Sequence, residues 1–207
     1  MLRLTNGESG LFRAVELIRD GDADTLAQLS GSGAMLVLTD NRISSLGRSL
    51  REAHSCATVP VANRAISTLF DIAINVPDAD ILGGQASIVG ERPGSLADMT
   101  TRLLRIAKLI PSAVLARIPS RDRIFHERLA RDQNILVIEA RDIEQYGRQA
   151  AESLKIAARA SVPLAIDAKA EIVMFRADVG GEEHFAVLVG GEVPPTAPLV
   201  RLHSQCI

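Results

Sequence analysis

Tryptophan is absent from the 207 residues, tyrosine occurs once, and aromatic residues total 3%. A protein that stacks nucleobases on aromatic faces needs more than that. Nor is there an excess of positive charge: 23 Lys and Arg against 25 Asp and Glu leave a formal charge of −2, which offers little nonspecific attraction to a phosphate backbone. Nucleic acid is therefore not an expected partner. No stretch reaches the roughly 18–20 uninterrupted apolar residues of a membrane span, and the opening MLRLTNGESGLFRAVELIRDGD lacks the continuous apolar segment and cleavage site of a secretory signal. No membrane partner is expected, and the expected compartment is the cytoplasm. Cys56 and Cys206 are too few for a disulfide framework; each is read either as a buried small residue or as a reactive or metal-binding thiolate.

What the chain does have is apolar material, 47% of its residues, enough for a substantial core. Residues 1–160 alternate helical and strand-like patterns, which predicts a mixed α/β domain. In SGLFRAVELIRDG, Leu11, Val15, Leu17 and Ile18 recur near helical spacing, so a helix is expected over 11–20, with a second short one at 24–29. AMLVLT at 34–39 is a short apolar run of the kind that forms a buried strand, and Asp40 can cap a helix after it. Further strands are expected at 57–62, 112–118 and 134–140. Helices are expected at 94–110, capped by Ser95 with Asp98 three residues on, and from Asp142 to Arg159.

From Val162 the texture changes to strand-like runs joined by Gly- and Pro-rich loops. Residues 171–177, 184–190 and 198–203 read as an antiparallel meander, the start of a second domain over 161–207. The fold class expected is thus α/β (α+β): a mixed N-terminal domain followed by a short β meander. The last run, PLVRLHSQCI, carries the densest polar cluster in the chain. Strand alternation would put Arg201 and His203 on one face, with Ser204 and Cys206 further along. A thiolate beside a cation suits metal ligation or nucleophilic attack, and an arginine beside a hydroxyl suits a phosphate or carboxylate. An ordinary terminal strand with solvated side chains has the same composition.

Residues 162–207, VPL…AEIVMFR…EEHFAVLVG…PLVRLHSQC, resemble the opening strands of GTP cyclohydrolase II, the zinc enzyme of riboflavin biosynthesis. That family carries an R-[VI]-H-S-E-C-L-T-G-D run where this chain reads RLHSQCI. The resemblance implies that Arg201, Leu202, His203, Ser204 and Gln205 line a GTP site, and that Cys206 is one of three cysteine ligands to zinc. Gln205 replaces the family's glutamate, keeping length and an acceptor oxygen but losing charge. The C-x-C pair that completes the zinc set, and the residues assigned to catalysis, have no counterpart in the 207 residues. A chain that stops inside a catalytic domain, and is inactive by itself, is what this implies. The activity implied for the complete enzyme is hydrolytic opening of the GTP imidazole ring with release of formate and pyrophosphate. Zinc, with magnesium also allowed in the full-length enzyme, and a homodimeric state come with it.

The N-terminal region, at 11–20 and in LVLTDNRISSLG at 36–47, resembles dihydroxybutanone phosphate synthase, the neighbouring pathway enzyme. The synthase's early acidic metal-binding run has no counterpart, so a noncatalytic structural or regulatory domain is expected over 1–160. The competing reading is a binding or regulatory module derived from a riboflavin-biosynthesis protein. Other chemistry-bearing residues read as structural. Cys56, in HSC before a strand, is expected to be packed and inert. His126, among alternating charges, reads as a solvated helix face or loop, and His184 as a satisfied structural histidine. ILGGQASIVGERPG at 81–94 lacks the P-loop pattern and reads as a loop.

Overall fold

The computed structural model describes residues 1–61, 64–75, 81–82, 87–119, 123–165, 169–178, 183–190 and 199–203. The chain divides into two compact units, Met1–Gln145 and Tyr146–Ile207.

The first unit is organised by strand β3 (Ala34–Thr39), whose Leu36, Val37 and Leu38 are all fully buried. Successive strand residues point to opposite faces, so three buried in a row require cover on both sides. Leu36 and Leu38 pack with Ile43 of α2 (Asp40–Ser45) and with Leu69 and Ile72 of α3 (Ile66–Ala73). Val37 packs on the opposite face with Leu96 and Met99 of α4 (Leu96–Ile106) and Ile143 of α6 (Ala140–Glu152). Helices therefore lie on both faces of one sheet. Each fully buried aliphatic side chain contributes about 1.5–3 kcal/mol.

The sheet also contains β1 (Leu2–Arg3), β2 (Ser9–Ala14), β4 (Cys56–Pro60), β5 (Val89–Glu91), β6 (Ala113–Ile118) and β7 (Ile138–Glu139), in the order β5-β4-β3-β6-β2-β1-β7. Every pairing is antiparallel except β1 with β7. Leu36 stands opposite Val59 on one side and Val114 on the other, which fixes the register of the three central strands. Helices α1 (Asp22–Ser30) and α5 (Arg123–Asp132) complete the unit.

The helix expected over 11–20 is instead strand β2 followed by a single 3-10 turn, Val15–Leu17. Six register pairs join β2 to β6, and Gly10 lets the strands close up: a Cβ there would lie 2.9 Å from Leu115 Cδ1 and 3.2 Å from the Ala116 carbonyl oxygen. Cross-strand pairing outweighs the apolar period of the segment. In 134–140 only Ile138–Glu139 pairs as a strand, because the chain leaves α5 through Asn134 at φ 51°. The helix expected to reach Arg159 ends at Glu152, and Leu154–Ser161 forms a strand, β8.

That strand moves the boundary between the units ahead of residue 160. In the second unit β8 pairs with β9 (Glu171–Ala177), which pairs with β10 (Glu183–Leu188), in the order β10-β9-β8. The sheet is antiparallel, with an irregularity in β8 between Ile156 and Ala158. Its third member is β8; of the run 198–203, the described residues 199–203 form no strand, and residue 198 lies outside the described residues. The architecture is mixed α/β with an appended antiparallel sheet, the fold class expected.

Candidate functional site

Of the C-terminal run, Arg201, Leu202 and His203 are exposed and outside any strand, with Leu202 at 92% exposure. Ser204, Gln205 and Cys206 lie outside the described residues. The shared strand face expected for Arg201 and His203 is therefore not formed by the described segment.

The structure concentrates polar chemistry elsewhere, where β4 and β5 meet the start of α4. Ser95 caps α4 by accepting the Asp98 amide at 3.3 Å, which satisfies one orphan helix donor, and the Asp98 carboxylate reaches back to the Gly94 amide, just ahead of the cap, at 2.8 Å. The same carboxylate accepts the Ser55 hydroxyl at 2.8 Å and pairs with Arg102 Nε at 2.9 Å, although Asp98 is almost wholly buried. Alongside it, Glu91 pairs with Arg117 at 2.6 Å and accepts the Thr58 hydroxyl at 3.3 Å. Each acid is held by a cation and at least one neutral donor, the arrangement that makes a buried carboxylate tolerable.

Cys56 sits between these acids, directly opposite Glu91 in the register. Burial pushes its thiol up to about 12; the Asp98 and Glu91 charges add to that shift, while a hydrogen bond from Ser55 and the Arg117 charge oppose it. The thiol stays protonated at neutral pH, and Cys56, with no solvent exposure, packs in the core with Val37, Leu96 and Leu115. Next to it the His54 ring occupies the space over Gly90, where a Cβ would fall 2.8 Å from ring atoms. His54 Nδ1 is buried with no hydrogen-bond partner among the described residues.

Two histidines differ from expectation. His126 is not a solvated residue: it is 1% exposed, and its Nε2 lies 3.0 Å from the Ser9 hydroxyl. The pattern that shows this is local, since Leu129 and Ala130 follow His126 at helical spacing and pack inward with Met1 and Leu11. His184, expected to be a satisfied structural residue, is exposed on β10 opposite Phe175. The Gly-rich stretch 81–94 holds β5 as well as loop; residues 83–86 lie outside the described residues.

No family model matches the chain. A protein named GTP cyclohydrolase-2 from Azospirillum brasilense is 30% identical over 213 residues, covering 99% of this chain and 53% of that protein. Over nearly its whole length the chain is similar to GTP cyclohydrolase-2 proteins. A GTP cyclohydrolase-2 from Xylella fastidiosa is 27% identical over 88% of the chain and 42% of its own length, and riboflavin biosynthesis protein RibBA of Salinispora tropica is 25% identical over 53% of the chain. The chain thus spans about half the length of the first two relatives, and its kinship is with riboflavin-biosynthesis proteins. Among solved structures, RibBX of A. baumannii, titled a two-domain 3,4-dihydroxy-2-butanone 4-phosphate synthase, matches with TM-score 0.54 at 15% identity, covering 91% of this chain and 65% of that one. A cation-free 3,4-dihydroxy-2-butanone 4-phosphate synthase matches with TM-score 0.53 at 14% identity, over 72% of this chain and 90% of its own. At those identities the likeness is one of fold.

The zinc that a GTP cyclohydrolase II-like chain implies can be tested against these side chains. Among the described residues, no three His, Cys, Asp or Glu side chains come together as a ligand group. Cys56 belongs to no such group, and the sequence holds no cysteine besides Cys56 and Cys206. A three-cysteine site does not fit this chain. No helix among the described residues is long and apolar enough to cross a membrane.

Proposed function

We propose that this chain serves riboflavin biosynthesis as the N-terminal portion of a GTP cyclohydrolase II, and that its 207 residues alone turn over no GTP. The observation that carries this reading is the 30% identity running over 99% of the chain but only 53% of the Azospirillum protein. In that role Arg201, with a planar fork of donors, suits a nucleotide phosphate, while His203, Ser204 and Gln205 supply hydrogen-bonding groups along the same segment. Gln205 keeps an acceptor oxygen without the charge of a glutamate. Cys206 contributes one thiolate where three are needed, so ring opening with release of formate and pyrophosphate belongs to a protein of the relatives' length. Homodimerisation and a cytoplasmic setting accompany this proposal.

A second reading is a noncatalytic binding or regulatory module. It is favoured by the saturation of Asp98, whose two oxygens are taken up by Ser55, Gly94 and Arg102 and not presented to a substrate. Both readings leave Met1–Gln145 without synthase activity on ribulose phosphate. The deciding experiment compares formate release from GTP by the 207-residue chain and by a version extended with the C-terminal half of the Azospirillum relative, each with zinc. Turnover by the extended protein alone supports the first reading. Turnover by the 207 residues refutes it, and an inactive but folded extended protein favours the binding module.

A further inference from the structure

A cleft separate from the network around Asp98 opens within the first unit, where the turn between β1 and β2 faces α5 and the β7–α6 junction. Its volume is about 330 Å³, at the small end of metabolite sites. We propose that this cleft, lined by Arg3, Thr5, Gly7, His126, Glu139 and Arg141, binds a small oxyanion, the phosphate or carboxylate group of a metabolite.

The first argument is charge. The lining carries two guanidinium groups against one carboxylate, a local excess of positive charge on a chain of net charge −2. The second is the way Arg3 is held. Its side chain is only 13% exposed, yet both its Nε, at 2.9 Å, and its Nη2 are directed to the same oxygen of Glu139. The remaining nitrogen, Nη1, is buried with no acceptor among the described residues. A buried donor left unmatched costs roughly 1–3 kcal/mol, and a modest turn of the guanidinium toward an oxyanion in the cleft would supply the missing acceptor. Arginine is suited to this because its planar fork can serve one carboxylate and a second anion together.

The third argument is the rim. Arg141 is 69% exposed, and its carboxylate contact, Asp142 at 3.7 Å, is long, so its guanidinium can move onto a ligand at little cost. Thr5 adds a hydroxyl, and the turn that presents it is fixed by two backbone bonds, Leu4 amide to Glu8 carbonyl at 2.7 Å and Gly7 amide to Leu4 carbonyl at 3.1 Å, with Gly7 at φ 87°. The floor is firm where His126 is anchored to Ser9. Opposing these are Glu139 in the wall and Glu127, whose charge also acts on Arg3. The cleft therefore favours a singly or doubly charged group bound weakly and in a salt-dependent way. The lining residues all belong to Met1–Gln145, so this inference stands or falls apart from the GTP reading.

The test uses the full 207-residue chain labelled with ¹⁵N and titrated with inorganic phosphate in one arm and acetate in the other, at constant ionic strength. The expected result is saturable amide shifts at Thr5, Gly7 and Arg141 in at least one arm. Arg141→Gln and Thr5→Val, both exposed and compatible with folding, should each weaken that Kd about fivefold or more, while Arg19→Gln on the exposed turn before α1 leaves it unchanged. Shifts scattered over the surface, equal losses in the Arg141 and Arg19 variants, or no saturation in either arm up to about 20 mM would overturn the proposal.

Discussion

The two units of this chain are held together by different physics. In Met1–Gln145 the central strands are sealed on both faces: Leu36, Val37, Leu38, Val114 and Leu115 have 1% exposure or less. In Tyr146–Ile207 every residue of β8 is exposed, and Phe185, Val187 and Met174 also keep much of their surface in solvent. There the sheet is joined by its backbone ladder and by ion pairs between neighbouring strands: Arg159 with Glu171 at 3.1 Å, Lys155 with Asp178, and Arg176 with Glu183. Such exposed pairs contribute roughly 0–1 kcal/mol each. A three-stranded sheet is marginal without a covering layer, and among the described strand residues here only Val173 and Ala177 of β9 are buried. The difference teaches that one unit is stabilised by burial and the other by its ladder, so the same truncation should have unequal effects in the two.

The largest expected effect is at the centre of the first unit. Leu36→Ala removes a side chain with no solvent exposure, packed with residues from two helices and two strands, and should cost about 2–5 kcal/mol in urea unfolding. Phe185→Ala, from a residue 58% exposed on β10, should cost less than about 1 kcal/mol although the side chain removed is larger. Equal losses from the two variants would end the contrast between the units.

The same contrast explains what the sequence made legible. AMLVLT reads as a buried strand because burial on both faces leaves no polar alternation, and the α4 cap is written in Ser95 and Asp98 themselves. The segment 11–20 misleads, since Leu11, Val15 and Ile18 are buried at helical spacing by a strand and a 3-10 turn, while Leu17 points to solvent. LKIAARAS, with good helix formers, becomes β8 because β9 offers it a ladder, an interaction with no trace in local composition. Asp98 was visible as a capping residue, but its convergence with Ser55 and Arg102 depends on the pairing of β4 and β5 beside α4. The cleft at Arg3 depends likewise on residues 136 positions apart in the chain. His126 could have been read from its spacing to Leu129 and Ala130; the alternating charges around it concealed that face.

A pH experiment addresses the first unit alone. The Met1 amine donates to the Leu136 carbonyl at 2.8 Å, and burial lowers its pKa from 8.0 to about 6. Below pH 6 the amine is protonated in both folded and unfolded chains and the full cost of burying the charge is present; above pH 8 it is neutral in both and the cost is gone. Stability should therefore rise between pH 6 and 8, by on the order of 2 kcal/mol from this group. Urea midpoints across that range measure the slope, and N-terminal acetylation, which removes the titrating group, should flatten this component. An unchanged slope after acetylation would mean that the amine is not the source.

The smallest expected effect lies in the second unit and is the sharper test of what joins it. Arg176→Gln removes the β9–β10 pair with Glu183 while leaving the backbone ladder and the Glu171, Lys155 and Asp178 contacts intact. Both partners are about half exposed, so water already compensates much of the charge, and the loss should be under about 0.5 kcal/mol. Amide hydrogen exchange is the suitable readout because it resolves local opening: protection on β9 and β10 should fall slightly, and protection on β3 and β6 should not change. Adding salt to the unmodified chain should reproduce part of that loss, since screening weakens exposed pairs. If Arg176→Gln abolished protection across the whole sheet, the ion pairs and not the ladder would be what holds the three strands together. The cross-strand charges would then count as the second unit's counterpart to Leu36.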